Sequence, residues 1–309
     1  MTRPALSASR SIDVLELLGN FPERGFTLSE IMRATKINVS SCHAVLAALT
    51  ARGYLTRSVA NRTYSLGPSL IAVGEAARKS QPIVARLEAS AKALVADLRL
   101  PVLLSTVVGD EILAVLSLET STGRDAGMHV GERLPLVAPV GAPFLAWSSE
   151  EVLTAWFARR ATPLDPSHVA ELRRDLELTR ERGYHITLRS PRGPTIGALL
   201  TEMATSHRIA EYKGEVSRLI EAFDHHMCQP ETIGDDTSYD VLQIAAPVFD
   251  RNGEAAYTLC LGGFPHRLSG DALKDHSDRL TRTCLEVMRG DRADARRQDA
   301  HPGTIVPVP

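Results

Sequence analysis

The clearest pattern of apolar and polar positions lies between Asn38 and Gly53. Its apolar residues recur at i, i+3, i+4 and i+7, which predicts one buried stripe on a helix: Cys42, Val45, Leu46 and Leu49. Asn38 is a favoured N-cap residue, and Gly53 suits the left-handed position that ends many helices. The opposite side holds small or hydrogen-bonding side chains and no acid: Ser40, Ser41, His43, Ala44, Ala47 and Ala48. Such a helix is either a short surface helix of any domain or one that enters the major groove of DNA.

Two further helical patterns precede this stretch and favour the second interpretation. A periodic segment after Ser9 is ended by Pro22. Thr27 and Glu30 have the spacing of a capping box, which predicts a short helix to about Thr35. Two residues then make a tight turn, so the three helices predict a helix-turn-helix.

After the third helix the period changes to that of strands. Tyr54 to Arg57 and Thr63 to Leu66 flank a polar turn, which predicts a two-stranded wing. Arg57, Asn61 and Arg62 lie near its tip, where a wing can touch phosphates or the minor groove. A solvated turn residue is the alternative interpretation of Arg62.

Charge is distributed unevenly, although the 309 residues have a net charge of only -2. Residues 1–66 contain eight Lys or Arg and four Asp or Glu, so this segment is +4 and the remainder is -6. A basic N-terminal module on an acidic body fits a small DNA-reading part joined to a larger regulatory part.

Four cysteines without a CxxC motif indicate reduced thiols in a cytosol. The sequence shows no signal-peptide pattern and no apolar run of the about 18 residues that a membrane span needs, so we expect a cytoplasmic protein without a membrane partner.

The N-terminal motifs T-L-S-E-I, I-N-V-S-S-C-H-A-V-L-A-A-L, R-G-Y-L and Y-S-L-G resemble, as a set, the winged helix-turn-helix of the isocitrate lyase regulator (IclR) family. The resemblance implies a DNA-binding domain over residues 1–67, with a double-stranded DNA operator as its partner. Family members often carry basic residues where Val39 and Ala44 stand, so base reading is assigned here to three other positions of the third helix: Ser40, Ser41 and His43. Further DNA contacts are expected from the start of the second helix, the end of the third and the wing: Thr27, Arg52, Arg57, Asn61 and Arg62.

Residues 68–98 show a long helical pattern that Pro82 interrupts, which predicts two helices or a kink. Similar linkers in the family connect the two domains and help to form the dimer. The resemblance therefore implies a homodimer or a tetramer.

Residues 99–290 mix strand and helix patterns, which predicts an antiparallel sheet with helices on its faces and an α+β fold class. The expected strands are Val102 to Val108, Ile112 to Leu118, an extended segment to about Val130, a strand from Gly183, and a hairpin of Val241 to Asp250 and Glu254 to Gly262. Asp165 and Ser269 are expected to cap helices that end at about Arg182 and Arg289.

A loop from Ala138 to Pro143 contains small residues and prolines, so its backbone can approach a ligand closely. The segments L-P-L-V-A, R-G-Y and I-A-A-P-V-F-D-R-N-G resemble the family's GAF-like effector-binding domain, in which this loop and the last two strands wall a pocket for a small-molecule effector. Carried over residue by residue, the implied effector contacts are Val140, Gly141, Ala142, Asp236, Gln243, Cys260 and Gly262.

Residues 190–240 depart most from the family pattern, with roughly forty extra residues. A helical pattern between Ile209 and Phe223 is expected to form either a lid over the pocket or a dimer contact. The 19 residues after Gly290, residues 291–309, are charged and then Pro-rich, and we expect them to be disordered.

Other kinds of site have weaker support. A group at 224–228 could suggest a metal site, but adjacent histidines point to different helix faces and no second cluster has ligand spacing: Asp224, His225, His226 and Cys228. No motif supplies a base for Cys260, so a packed strand cysteine is preferred to a nucleophile. Arg189 and Arg192 either hold an acidic ligand or are solvated loop residues.

No G-x-S-x-G, Walker or dinucleotide-binding motif is present, so we expect no enzymatic activity, no metal and no cofactor. The leading hypothesis is a transcription factor whose operator binding is modulated by a small-molecule effector. The alternative is a sensor or enzyme-like domain whose helix-turn-helix makes protein contacts.

Overall fold

The computed structural model of the chain describes residues 5–121, 127–189 and 229–300. The N-terminal module contains α1 (Leu6–Gly19), β1 (Phe26–Thr27), α2 (Leu28–Thr35), α3 (Val39–Ala51), β2 (Leu55–Arg57) and β3 (Thr63–Leu66). Its strands form an antiparallel sheet in the order β1-β3-β2. The helix-turn-helix and its two-stranded wing are therefore present as predicted. The first helix starts earlier than expected, at Leu6, with Ser9 inside it.

The wing is fastened to α3 by a close approach of two glycines. The Gly67 N–H donates to the Tyr54 carbonyl at 2.7 Å. A side chain at Gly67 would place its Cβ 2.2 Å from the Gly53 carbonyl oxygen, so only glycine fits there.

The linker forms α4 (Ser69–Lys79) and α5 (Pro82–Leu98). The break at Pro82, which becomes the first residue of α5, was predicted from the sequence. Helix α5 buries apolar residues against the C-terminal domain, whereas α4 has no buried residue.

The C-terminal domain is built on a six-stranded antiparallel sheet in the order β6-β5-β4-β10-β9-β7. Its members are β4 (Val102–Val108), β5 (Glu111–Leu118), β6 (Arg133–Pro135), β7 (His185–Leu188), β9 (Val241–Phe249) and β10 (Ala255–Leu261). A two-stranded sheet pairs β8 (Ser238–Tyr239) with β11 (Leu268–Ser269). The described residues of this domain also form α6 (Ala142–Leu145), α7 (Glu150–Phe157), α8 (Pro166–Arg182) and α9 (Gly270–Ala300).

The two faces of the large sheet have different partners. On one face, Ile244 and Leu259 pack with residues of α5 and α9, such as Leu87 and Leu280. On the other face, Ala245 belongs to a cluster that includes the loop before α6, α6 itself, α7 and α8. Successive side chains of β9 thus point to opposite faces of the sheet. One face packs against α5 and α9, and the other carries the cavity described below.

Some sequence-based expectations are wrong. The last helix continues to Ala300, so the disorder expected for 291–309 is wrong for 291–300. The segment after Gly290 is rich in Ala, Arg and Asp, which tolerate or favour helix, and Asp291 forms an ion pair with Arg86 of α5 at 3.1 Å. Helices α6 and α7 were not predicted. The extended segment expected up to Val130 is not a strand in its described residues, 119–121 and 127–130.

Several expectations fall on residues outside the described ranges. They concern the helical pattern between Ile209 and Phe223, the group at 224–228, Arg192, and the last nine residues.

Candidate functional site

Helix α3 presents an uncharged face to solvent. Its buried residues are Cys42, Val45 and Leu46, and Leu49 is half-buried beside them. The Asn38 side chain caps the helix by accepting the Ser41 N–H at 2.9 Å. The exposed side consists of Val39, Ser40, His43, Ala44, Ala47 and Ala48. No acid lies on this face, so a polyanion can approach it without charge repulsion.

Two of the residues assigned to DNA already have partners within the domain. The Ser41 hydroxyl accepts a hydrogen bond from Arg10 Nη1 at 2.8 Å and is half-buried. The Thr27 hydroxyl donates to Glu30 Oε2 at 2.8 Å and accepts the Glu30 N–H, completing the capping box. Thr27 therefore has no proton left for a phosphate. Arg10, which the sequence reasoning did not single out, connects α1 to the start of α3.

The four residues assigned to DNA at the end of α3 and in the wing are exposed. Arg62 is at the turn of the wing with a left-handed φ of 55°, and the Ser58 N–H closes that turn by donating to the Thr63 carbonyl at 2.8 Å. Asn61 precedes it, and the Arg57 guanidinium lies 5.6 Å from the centre of the Tyr64 ring. Arg52 follows the last turn of α3. These groups border the exposed face of α3 and its wing.

The second candidate site is a cavity of about 220 Å³ on the open face of the large sheet. Apolar side chains from β4, β5, the segment before β6, β6 itself, the loop before α6 and α6 form much of its wall: Leu103, Ile112, Met128, Leu134, Val140 and Phe144. The polar groups come from β4, β7, β9 and β10: Ser105, His185, Thr187, Arg189, Gln243 and Thr258. A small apolar cavity with a few convergent polar groups is typical of a small-molecule site.

Four of the seven residues assigned to the effector line this cavity: Val140, Gly141, Gln243 and Cys260. Ala142 is buried in the first turn of α6, and Asp236 is exposed. The Gly262 N–H donates to the Pro101 carbonyl at 3.2 Å, and the neighbouring Gly263 lines the cavity in its place. These last three residues are not part of the cavity wall.

The loop of small residues is held rigidly against the cavity. Gly141 has a φ of 99°, and a Cβ there would meet Leu136 Cδ1 at 2.1 Å. Trp156 is fully buried, and its Nε1 donates to the Val140 carbonyl at 3.1 Å. The Arg160 Nη1 donates to the Ala138 carbonyl at 2.7 Å. Hydrogen bonds from Trp156 and Arg160 therefore position the loop backbone at this part of the cavity wall.

Two polar features of the cavity bear on its chemistry. Burial raises the pKa of the Cys260 thiol to about 12, although the Thr258 hydroxyl acts in the opposite direction, so the thiol stays protonated at neutral pH. Arg189 contacts Asp240 through Nε at 3.2 Å, and its guanidinium provides positive charge at the cavity.

Sequence reasoning missed the most buried ionisable group of the cavity, His185. It lies on β7 opposite Ala245 of β9 and is 5% exposed. Its position directly after the R-G-Y segment could have indicated that His185 lies near the cavity. Its role could not be predicted, because its hydrogen-bonding environment comes from other parts of the sequence: Asp175, Thr179 and Gln229.

Two kinds of feature are absent from the described residues. They contain no group of three or more His, Cys, Asp or Glu that could hold a metal ion. None of their helices is both long enough and apolar enough to cross a membrane.

Comparisons with known proteins agree with this architecture. The model of the IclR helix-turn-helix domain matches residues 7–58, and that of the bacterial transcriptional regulator IclR C-terminal domain matches residues 75–188. The HTH-type transcriptional regulator BhcR of Paracoccus denitrificans is 28% identical over 292 residues, which cover 94% of this chain and 88% of BhcR.

Solved structures support the fold. An IclR transcriptional regulator from Alicyclobacillus acidocaldarius has a TM-score of 0.69 at 19% identity, over 93% of this chain and 99% of that one. An IclR homolog from Microbacterium hydrocarbonoxydans, complexed with 4-hydroxybenzoate, has a TM-score of 0.63 at 17% identity, over 93% and 99% of the two chains. Together, the two matched domains span more than half of the sequence, and the chain belongs to the IclR family of bacterial transcriptional regulators.

Proposed function

We propose that this regulator binds an operator through the exposed face of α3 and the wing, and that a small organic molecule in the C-terminal cavity modulates this binding. The observation that carries the proposal is the combination, in one chain of this family, of an exposed acid-free helix-turn-helix face with a preformed cavity of about 220 Å³. We divide the chain into a DNA-binding domain (1–67), a linker (68–98) and an effector domain (99–290).

Base reading is proposed for Ser40 and His43, because both are exposed on α3. Ser41 joins them only if DNA displaces Arg10 from its hydroxyl. The exposed Arg52, Arg57, Asn61 and Arg62 are proposed to contact phosphates or the minor groove. Thr27 is assigned a capping role instead.

The effector is proposed to be a small organic acid with an apolar body. The apolar wall accommodates the body, and Arg189 provides charge for the acid group. The related protein that was crystallised with 4-hydroxybenzoate binds a molecule of this kind, which supports the proposal.

Communication between the two sites is proposed to run through Arg133 on β6. Its guanidinium bridges Glu16 of α1 at 3.0 Å and Glu111 of β5 at 3.2 Å. The next residue, Leu134, lines the cavity and pairs with Ile112, which lines it too. A ligand that moves this wall would therefore shift the contact that positions α1.

We also propose that the chain acts in the cytoplasm as a homodimer and catalyses no reaction. Helix α4 has no buried residue and exposes Ile71 by 76%, which fits an apolar contact with a second copy. The protonated Cys260 thiol is a poor nucleophile, which favours a binding role for the cavity.

The test is the ratio of operator to random-DNA affinity, with the operator found by footprinting the purified protein on genomic DNA. His43→Ala should reduce this ratio by about 5- to 150-fold, the range expected for one base contact, and leave folding intact because His43 is exposed. His129→Ala, at an exposed histidine of the effector domain, is the matched control.

An unchanged ratio in His43→Ala would remove this residue from base recognition. Binding that does not weaken steeply with salt would instead favour the alternative function, a helix-turn-helix used for protein contacts.

A further inference from the structure

The buried His185 lines the cavity, and its Nδ1 contacts two side chains of α8. Its Nδ1 lies 3.0 Å from the Thr179 hydroxyl and 3.6 Å from Asp175 Oδ2, both on α8. Within the part of the chain that the structure describes, Nε2 has no hydrogen-bond partner. The ring lines the cavity and is 5% exposed, so Nε2 is the polar edge left for a ligand.

The surrounding hydrogen bonds determine which nitrogen carries the proton. The Ile186 N–H donates to Gln229 Oε1 at 3.1 Å, which fixes the orientation of the Gln229 amide. Gln229 Nε2 therefore donates, to the Asp175 carbonyl at 3.0 Å and to the Thr179 hydroxyl at 2.8 Å. The Thr179 hydroxyl uses its own proton on the Asp175 carbonyl at 2.9 Å. It can only accept from His185, so Nδ1 bears the proton.

The neutral ring then presents a lone pair on Nε2 to the cavity. The nearby Asp175 carboxylate stabilises a proton on Nδ1, in agreement with this tautomer. Burial lowers the pKa of His185, opposed by Asp175 and reinforced by Arg182, so the ring is neutral near pH 7. An acceptor buried in this way binds best to a ligand group that donates a hydrogen bond.

We propose that His185 determines effector specificity by accepting a hydrogen bond at Nε2 from a hydroxyl group of the effector, which is an aromatic hydroxy acid. The ring of such a ligand fits the apolar wall around Met128 and Phe144, and its carboxylate fits Arg189. This inference rests on the proposed function and adds the chemical group that the cavity selects.

The first test needs no ligand. Nitrogen NMR of the full-length protein at neutral pH should show His185 as the neutral Nδ1–H tautomer, assigned by loss of its signals in His185→Phe. A proton on Nε2 would overturn the inference, because the cavity would then face a donor.

The second test compares the binding of benzoate with that of 2-, 3- and 4-hydroxybenzoate. Binding is followed by tryptophan fluorescence, to which Trp156 contributes from its contact with the cavity loop. At least one hydroxybenzoate should bind about tenfold more tightly than benzoate, and His185→Phe should abolish that preference while still binding benzoate. His276→Phe, at a half-buried histidine of α9, serves as the control and should keep the preference. His185→Gln, which retains a hydrogen-bond acceptor, should keep part of the preference for a hydroxybenzoate over benzoate.

Equal binding of benzoate and every hydroxybenzoate would overturn the inference, as would a preference that survives His185→Phe. Binding of none of the four probes would also overturn it. The proposed function is judged separately, by the DNA specificity of the His43 variant, so the two failures are distinguishable.

Discussion

At the scale of single residues, Gly141 shows how strictly the cavity wall is specified. Its φ of 99° is unfavourable for any other residue, and the nearest atom to an added Cβ belongs to the buried Leu136. A substitution at Gly141 therefore has two energetic costs, strain in the backbone and displacement of Leu136.

We predict that Gly141→Ala destabilises the effector domain by about 1–3 kcal/mol and weakens effector binding, but leaves operator affinity near that of the wild type. Thermal unfolding followed by tryptophan fluorescence reports on this domain, because both tryptophans, Trp147 and Trp156, lie in it. Gly253→Ala is the matched control, since Gly253 has a φ of 84° but nothing within 4 Å of an added Cβ. Equal losses of unfolding free energy in the two variants would show that the contact with Leu136 does not contribute to the destabilisation.

The residues of the cavity were only partly predictable from sequence. Gly141 and Gln243 were identified because the loop and the β9 strand resemble the family pattern, and both line the cavity. His185 was missed because its role depends on Gln229, more than forty positions away, which locks Thr179 and Asp175 into one hydrogen-bonding pattern. Spacing along the sequence carries no information about such a long-range contact.

At the scale of elements, local signals predicted most helices and strands, because caps and hydrophobic periodicity act within a few residues. The capping box at Thr27 and the N-caps at Asn38 and Asp165 are all present. The last helix was predicted too short because Gly290 was treated as its end, whereas Asp291 pairs with Arg86 on α5. A tertiary contact thus overrides a local helix-ending signal.

The contact between α1 and β6 leads to a prediction about coupling. Glu16→Gln removes the negative charge that pairs with Arg133 in the DNA-binding module but keeps the Arg133–Glu111 pair. We expect the effect of the effector on operator affinity to fall several-fold, within the range of about 0.5–2 kcal/mol for residues along a coupling route. Operator titrations with and without effector measure it.

Glu23→Gln is the control for this experiment, because it neutralises an exposed acid in the same module. It changes the electrostatic attraction to DNA by the same formal charge without touching Arg133. If Glu16→Gln and Glu23→Gln retain the same effector response, the Arg133 contact does not transmit it.

At the scale of the whole molecule, one chain carries two sites that are packed on each other. The apolar cluster that forms the core of the helix-turn-helix, including Val14 and Leu18, also includes the cavity residues Ile112 and Leu134. Helix α1 is thus packed on the effector domain as well as on α3. A rigid connection of this kind lets a change at the cavity wall bias the position of α3.

Thermodynamic coupling between the cavity and the DNA-binding face is the core of the proposed function. It is tested most directly by titrating the full-length protein with its effector, once in the absence and once in the presence of saturating operator DNA. The two effector dissociation constants should differ by about 5- to 150-fold, and effector should change operator affinity by the same factor, because linkage is reciprocal. Identical effector affinities with and without operator would show that the two sites are not coupled.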